Sequence, residues 1–229
     1  MSTIQKSTLT FLNNIKSNNN REWFAENKPE YTAELDSVIL FADSVLNEMN
    51  THDSIETPTG KKSLYRIYRD TRFSKNKTPY KTFFSAYFRR ATDLLRGGYY
   101  FHIEPGNSFV GGGFWSPNSA DLLRIRKEIA SDASELRAII SDKKFVNTFG
   151  QLEGEKVKTA PRNFDKDHQN IDLLRYKQFL VGKKFSDKEV LSPDFYKEVN
   201  ATFIAMRPFF NFMSTVLTTD ENGVPLYEK

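Results

Sequence analysis

Residues 81–114 read KTFFSAYFRRATDLLRGGYYFHIEPGNSFVGGGF. The alternation of side chains in this stretch decides the fold. Thr82, Phe84, Ala86 and Phe88 recur at every second position, so they share one face of a strand over about 81–90. Gly97-Gly98 marks a turn, and a second alternating run follows from Tyr99 to Glu104. Pro105-Gly106-Asn107 is turn chemistry, and Ser108 to Phe114 is a third run. Runs this short, joined by connections this short, predict an antiparallel meander. Upstream, Leu64, Arg66, Tyr68 and Asp70 fall on one face of a further predicted strand and Tyr65, Ile67 and Arg69 on the other. The polar, Lys-rich residues 71–79 connect it to the next. Downstream, Gln178–Phe185 is a candidate fifth strand.

Helical periodicity flanks this region on both sides. Thr8 or Thr10 is placed to cap a helix through Leu12 and Ile15, and Asn20 to cap one carrying Glu22, Trp23 and Phe24. Pro29 suits the first turn of a longer helix, in which Tyr31, Leu35, Val38, Ala42, Val45 and Met49 form an apolar stripe. After Pro117, Asn118 or Ser119 is a fair cap for a stripe of Leu122, Ile125, Ile129, Leu136 and Ile140. Residues 154–170 are polar and irregular, and Ile171–Tyr176 reads as one or two helical turns. Pro193 opens a final helix with Phe195, Val199, Phe203, Met206, Phe210, Met213 and Leu217 on one side, and Pro208 inside it is expected to kink or break it. The expected architecture is a single α+β domain over 1–229. Its mainly antiparallel sheet of four or five strands is covered by N-terminal, middle and C-terminal helices. The ordered core spans about 8–217, and the tail 218–229 is expected to fray.

The chain has 229 residues with twenty Phe, ten Tyr, two Trp and no Cys. That is enough aromatic mass for a sizeable core, and it excludes disulfides and thiolate metal sites. No apolar run is long enough for a membrane helix, and the start MSTIQKSTLTFLNNIK has no secretory apolar core, so a cytoplasmic protein without a membrane partner is expected. Charge is uneven. The net is +4, yet residues 61–96 alone carry +9, with eight Tyr and Phe interleaved. Residues 20–58 are acidic, either as a solvated helix face or as a counterweight packed beside the basic block.

Cations beside aromatic faces suit an anionic small molecule or nucleic acid. The candidate ligand-binding residues are Arg66, Tyr68, Arg69, Arg72, Lys77, Tyr80 and Lys81. Arginine forks match phosphate and carboxylate oxygens, and the tyrosines offer stacking faces. Arg66 and Arg69 point to opposite strand faces, which favours Arg66 with Tyr68 and a returning Arg72. The competing reading of the same block is a solvated hairpin. His102 and Glu104, two apart on a predicted strand, share a face and are candidate acid/base residues. Gly111–Gly113 admits a ligand, or a packed helix, close to the backbone. A second polar cluster holds Arg162, Asp165, Asp167, His168, Arg175 and Lys177. No spacing indicates a metal site, a P-loop, a dinucleotide fingerprint or an acyl-transfer nucleophile, and no cofactor is expected.

Four segments occur in order: NNNREWFAENKPEY from residue 18, RIYRDTRFSKNKTPYKTFF from 66, GYYFHIEPGNSFVGGGFW from 98 and APRNFDKDHQNIDLLRYKQF from 160. Together, over about residues 8–217, they resemble the conserved hypothetical family catalogued as domain of unknown function 2461. The resemblance implies a single α+β domain and brings no established activity, so no functional residues carry over. Asn76 stands where an acidic residue is more usual, which makes the loop more basic. Three functions compete: a binding module for an anionic ligand through the basic aromatic block, an enzyme on a small anionic substrate with His102 and Glu104 as acid and base, and a module docking an acidic partner chain.

Overall fold

The computed structural model of the chain describes residues 3–220 and 223–226. Its order among the described residues is α1 (Lys6–Ser17), α2 (Arg21–Glu26), α3 (Lys28–Met49), α4 (Gly60–Ser63), β1 (Phe84–Arg89), β2 (Gly98–Ile103), β3 (Ser108–Phe114), α5 (Ser119–Ser131), α6 (Ser134–Ser141), α7 (Lys143–Phe149), α8 (Ile171–Leu174), β4 (Phe179–Phe185), α9 (Asp187–Val190) and α10 (Phe195–Thr218). The fold is α+β, with one four-stranded antiparallel sheet in the order β1-β2-β3-β4. The predicted meander is present, and the run at 178–185 joins it as β4. By contacts the chain forms two compact units. The first holds the residues up to Phe88, Tyr100–Val110 and Lys184–Ala201. The second holds Arg89–Tyr99, Gly111–Lys183 and the residues from Thr202 onward.

In the first unit, α1 buries Thr8, Leu9, Phe11, Leu12 and Ile15. Thr8 is not its cap: the helix starts after Gln5, and the buried Thr8 hydroxyl donates to Glu34 Oε2 at 2.6 Å. Thr10 donates back to the Lys6 carbonyl within the helix at 3.0 Å. Asn20 caps α2 as expected, its side chain accepting from Trp23 N at 2.8 Å. The buried face of α3 is Glu34, Val38, Phe41, Ala42, Val45, Leu46 and Met49, while Leu35 is only partly buried. Phe41 is the anchor. Its ring meets Phe101 edge-on and stacks on Phe195, both at 5.5 Å between centroids. One side of β2 therefore packs on α3 and the start of α10, and Tyr100, His102 and the following Glu104 project from the other.

In the second unit, Tyr99 lies 4.8 Å from Phe203 and 5.0 Å from Phe210. Asn118 caps α5 by accepting from Asp121 N at 2.8 Å. The predicted middle stripe is split between α5 and α6, with Ile125, Ile129 and Leu136 buried. The glycine run packs rather than opens: a Cβ on Gly112 would meet Gly98 O at 2.7 Å and Phe210 at 2.8 Å, and one on Gly113 would meet Phe179 O at 2.2 Å. The polar stretch after Leu152 is partly extended, pairing Glu153 with Leu180 of β4 and Lys156 with Tyr176 just before it. Pro208 does not break α10, which continues through it. Pro208 and Ile204 both lie on the exposed face, where water can serve the carbonyl that the proline leaves without a donor. Of the tail expected to fray, residues 221–222 and 227–229 lie outside those described. The rest turns back, with Leu226 N donating to Thr218 O at 2.8 Å.

Candidate functional site

Residues 61–88 of the basic aromatic block and residues 100–110, which carry His102 and Glu104, belong to the first unit. The predicted strand Leu64–Asp70 forms only two isolated bridges, Leu64 with Ala86 and Tyr68 with Tyr80. The chain bends at Thr82 and Phe83, and this bend divides one ladder into two short pieces. The inner piece is anchored on α1 and α2. Tyr80 stacks on Phe24 at 4.0 Å, in a cluster with Phe11, Ile15 and Ile67. Asn19 brackets the Tyr80 backbone, donating to its carbonyl and accepting from its N–H, both at 3.0 Å. Tyr80 is therefore a core residue rather than the open stacking face expected. Tyr68 lies edge-on to Phe24 at 6.0 Å with half its surface exposed.

The loop beyond is held together by its own cations. Arg72 forks onto Asp70, Nε to Oδ1 at 3.0 Å and Nη2 to Oδ2 at 2.7 Å. Arg69 donates to the Thr78 carbonyl at 3.2 Å and to the Thr78 hydroxyl. Lys77 Nζ donates to the Thr71 carbonyl at 2.9 Å, and Asn76 Oδ1 accepts from Thr78 N at 2.9 Å. Arg69, Arg72 and Lys77 thus close the loop. The loop displays Phe73, which is 94 % exposed with the Arg72 guanidinium 5.8 Å from its centroid. Arg66 is exposed.

Lys81 differs from these surface cations. Its ammonium lies 5.2 Å from the Tyr65 centroid and 5.7 Å from that of Phe83. Burial, and then the field of Arg66, push its pKa down. The same face carries His102 and Glu104, which the structure brings into contact, Nε2 to Oε2 at 3.2 Å. Tyr100 Oη lies 3.0 Å from His102 Nδ1. Glu104 also accepts from Thr82 Oγ1 at 2.9 Å and Asn107 Nδ2 at 2.8 Å. The imidazole is clasped by Phe83 at 4.1 Å and Phe109 at 4.8 Å.

Burial lowers the His102 pKa; Glu104 opposes this and Lys81 adds to it. For Glu104, burial pushes upward, but the hydrogen bonds from Asn107, His102 and Thr82 outweigh it and hold the carboxyl low. Burial raises the Tyr100 phenol, against a hydrogen bond from Ser85 and with added repulsion from Tyr65 and Glu104. A neutral imidazole beside a carboxylate and a phenol can move a proton; an ammonium on two ring faces can hold an anion.

The other histidines serve the fold: His52 Nε2 meets Asn200 Oδ1 at 2.8 Å, and His168 Nδ1 accepts from Asn170 N at 3.0 Å. In the second polar cluster, Arg175 donates to the Val157 carbonyl at 2.8 Å and Lys177 pairs with Glu155 at 2.6 Å. Among the described residues no three His, Asp or Glu side chains gather as a metal site, and no helix is long and apolar enough to cross a membrane. Sequence reasoning passed over Tyr100, though the alternation that pairs His102 with Glu104 sets it on their face. Ser85, Thr82 and Phe109 had no such signal, because they reach the site across strands whose register a sequence does not state.

In comparisons with known proteins, the family described as conserved hypothetical protein (DUF2461) matches residues 7–212. No curated protein and no solved structure matches the chain.

Proposed function

We propose, for a chain that belongs to the conserved hypothetical family DUF2461, that it binds a small anion, a phosphate- or carboxylate-bearing molecule, on the Lys81 face. One observation carries the reading. Lys81 is half-buried over Tyr65 and Phe83, where burial and Arg66 both work against its charge. An anion at that ammonium relieves both penalties at once, which a fully solvated lysine has no need of. Arg66 supplies the second positive charge, and the rings of Tyr65, Phe83 and Phe109 supply apolar walls.

Calorimetric titration with inorganic phosphate and with acetate tests the reading. The wild type binds at least one of them, Lys81→Met loses at least tenfold in affinity, and Arg66→Ala loses less. Equal affinity of wild type and Lys81→Met removes the proposal.

A second reading rests on Phe73. An aromatic ring this exposed, beside an arginine and on a self-closed loop, suits stacking by a base of single-stranded nucleic acid. Binding would then fall steeply with salt and depend on Phe73 rather than Lys81. For either partner we propose a cytoplasmic setting, which fractionation of cells making a tagged chain tests.

A further inference from the structure

The hydrogens of the Tyr100–His102–Glu104 line can be assigned from its partners. Glu104 is held as a carboxylate, so it accepts only. His102 Nε2, 3.2 Å from it, must therefore carry the proton. Burial keeps the imidazole neutral, so Nδ1 is a bare acceptor, and the Tyr100 hydroxyl 3.0 Å away donates to it. Every proton in the line then points one way, from Tyr100 through His102 to Glu104. His102 is only 7 % exposed and fixed between Phe83 and Phe109, while Tyr100 is partly open to solvent.

We propose that this line is an acid–base centre, in which Tyr100 takes a proton from a small carboxylate or phosphate ester that has a C–H beside a carbonyl and is held at Lys81. The holding of the substrate rests on the anion site proposed above. In the step, the substrate C–H bond breaks and its proton passes to the Tyr100 oxygen. The phenol's own proton moves to His102 Nδ1, and the C–H electron pair stays on the substrate as an enolate. The imidazolium so formed faces the Glu104 carboxylate, while Lys81 adds opposing positive charge and Tyr65 and Ser85 border the phenol. Return of a proton from His102 through Tyr100 to the same carbon gives exchange, which needs no further reactant. Tyr100 is the catalytic residue, and His102 and Glu104 act through it.

The test uses dihydroxyacetone phosphate in D2O, with loss of its C–H signal followed by proton NMR and phosphate binding measured in parallel. Wild type exchanges the C–H at least tenfold faster than buffer, and Tyr100→Phe returns to the buffer rate with phosphate binding intact. Glu104→Gln lowers the plateau and moves the acid limb of the pH profile to lower pH, because His102 loses the carboxylate that raises its proton affinity. A merely structural role would not move that limb. Lys81→Met raises the half-saturating concentration and keeps the plateau. Wild-type exchange at the Tyr100→Phe rate with phosphate still bound overturns the acid–base proposal and leaves the anion site standing. Exchange by the wild type, with half-saturation unchanged in Lys81→Met, removes the anion site and leaves the relay. Nitrogen-15 NMR of the wild type gives a readout free of folding defects: His102 is expected neutral with its proton on Nε2 at pH 7, and a proton on Nδ1 overturns the relay.

Discussion

Asp70 and Arg72 face each other across one residue with two parallel bonds, 3.0 Å from Nε and 2.7 Å from Nη2. The strongest anion fork in the basic segment therefore already has its carboxylate. Arg72→Ala is expected to leave phosphate affinity within twofold of wild type, in contrast to Lys81→Met. The pair is well exposed, so the melting temperature should also stay unchanged. A tenfold loss of phosphate binding in Arg72→Ala would return this residue to the ligand site.

Phe41 joins α3 to β2 and to the start of α10. Phe41→Ala is expected to cost about 3–5 kcal/mol in urea melts, as a large buried ring removed from a close-packed core. Leu35→Ala, at a partly buried position of the same helix, should cost clearly less. Equal costs would show that the two side chains are equally buried in solution.

Thr8 and Glu34 form a buried pair at 2.6 Å. Thr8→Val keeps the shape and removes the donor, leaving the Glu34 oxygen without it. A loss of about 1–3 kcal/mol is expected, the cost of leaving a buried acceptor without its donor. A loss below about 0.5 kcal/mol would mean that water replaces the hydroxyl.

Gly113 and Gly150 both have positive φ, 130° and 74°, but only Gly113 is crowded. Gly150→Ala should cost about 1–3 kcal/mol, the penalty of holding an L residue at φ 74° and ψ −74°, the strained γ-turn region, with no clash added. Gly113→Ala adds a Cβ that would lie 2.2 Å from the Phe179 carbonyl, so its cost should exceed that of Gly150→Ala in the same denaturant series.

His102 sets a pH dependence. Its folded pKa lies below the ordinary value of 6.5, with burial as the main cause. The unfolded chain takes up this proton first, so the stabilising contribution is whole above pH 6.5 and is lost as the pH falls toward the folded value. Urea melts from pH 8 to 5 should show wild type losing stability faster than His102→Gln over the acid end. Parallel curves would mean that the imidazole titrates normally.

The features legible in the sequence are those whose cause is local. Asn20 and Asn118 cap because an N-cap needs only its own side chain and the next turn. Alternation gave the three strands of the meander and set His102 beside Glu104. Thr8 was misplaced because a threonine near a helix start has two uses, and the choice depends on Glu34, on another helix. The strand at Leu64–Asp70 failed for a similar reason: the interruption lies in its partner, at Thr82 and Phe83. Tyr80 carries the same ring whether it stacks on a ligand or on Phe24, and only tertiary packing separates the two. Lys81 stands out from its neighbouring cations by burial, which composition does not record.

The sheet order also has a consequence in time. β1, β2 and β3 are joined by short connections, but β4 reaches β3 only after residues 115–178. Closing that interval costs chain entropy before any pairing repays it, so β4 docks late. On a ribosome the far edge of β3 waits roughly several seconds for its partner to emerge. For that interval Ser108–Phe114 offers an open row of backbone donors and acceptors to any neighbouring nascent chain. The close approach of Gly113 to Phe179 is the contact that ends this exposure.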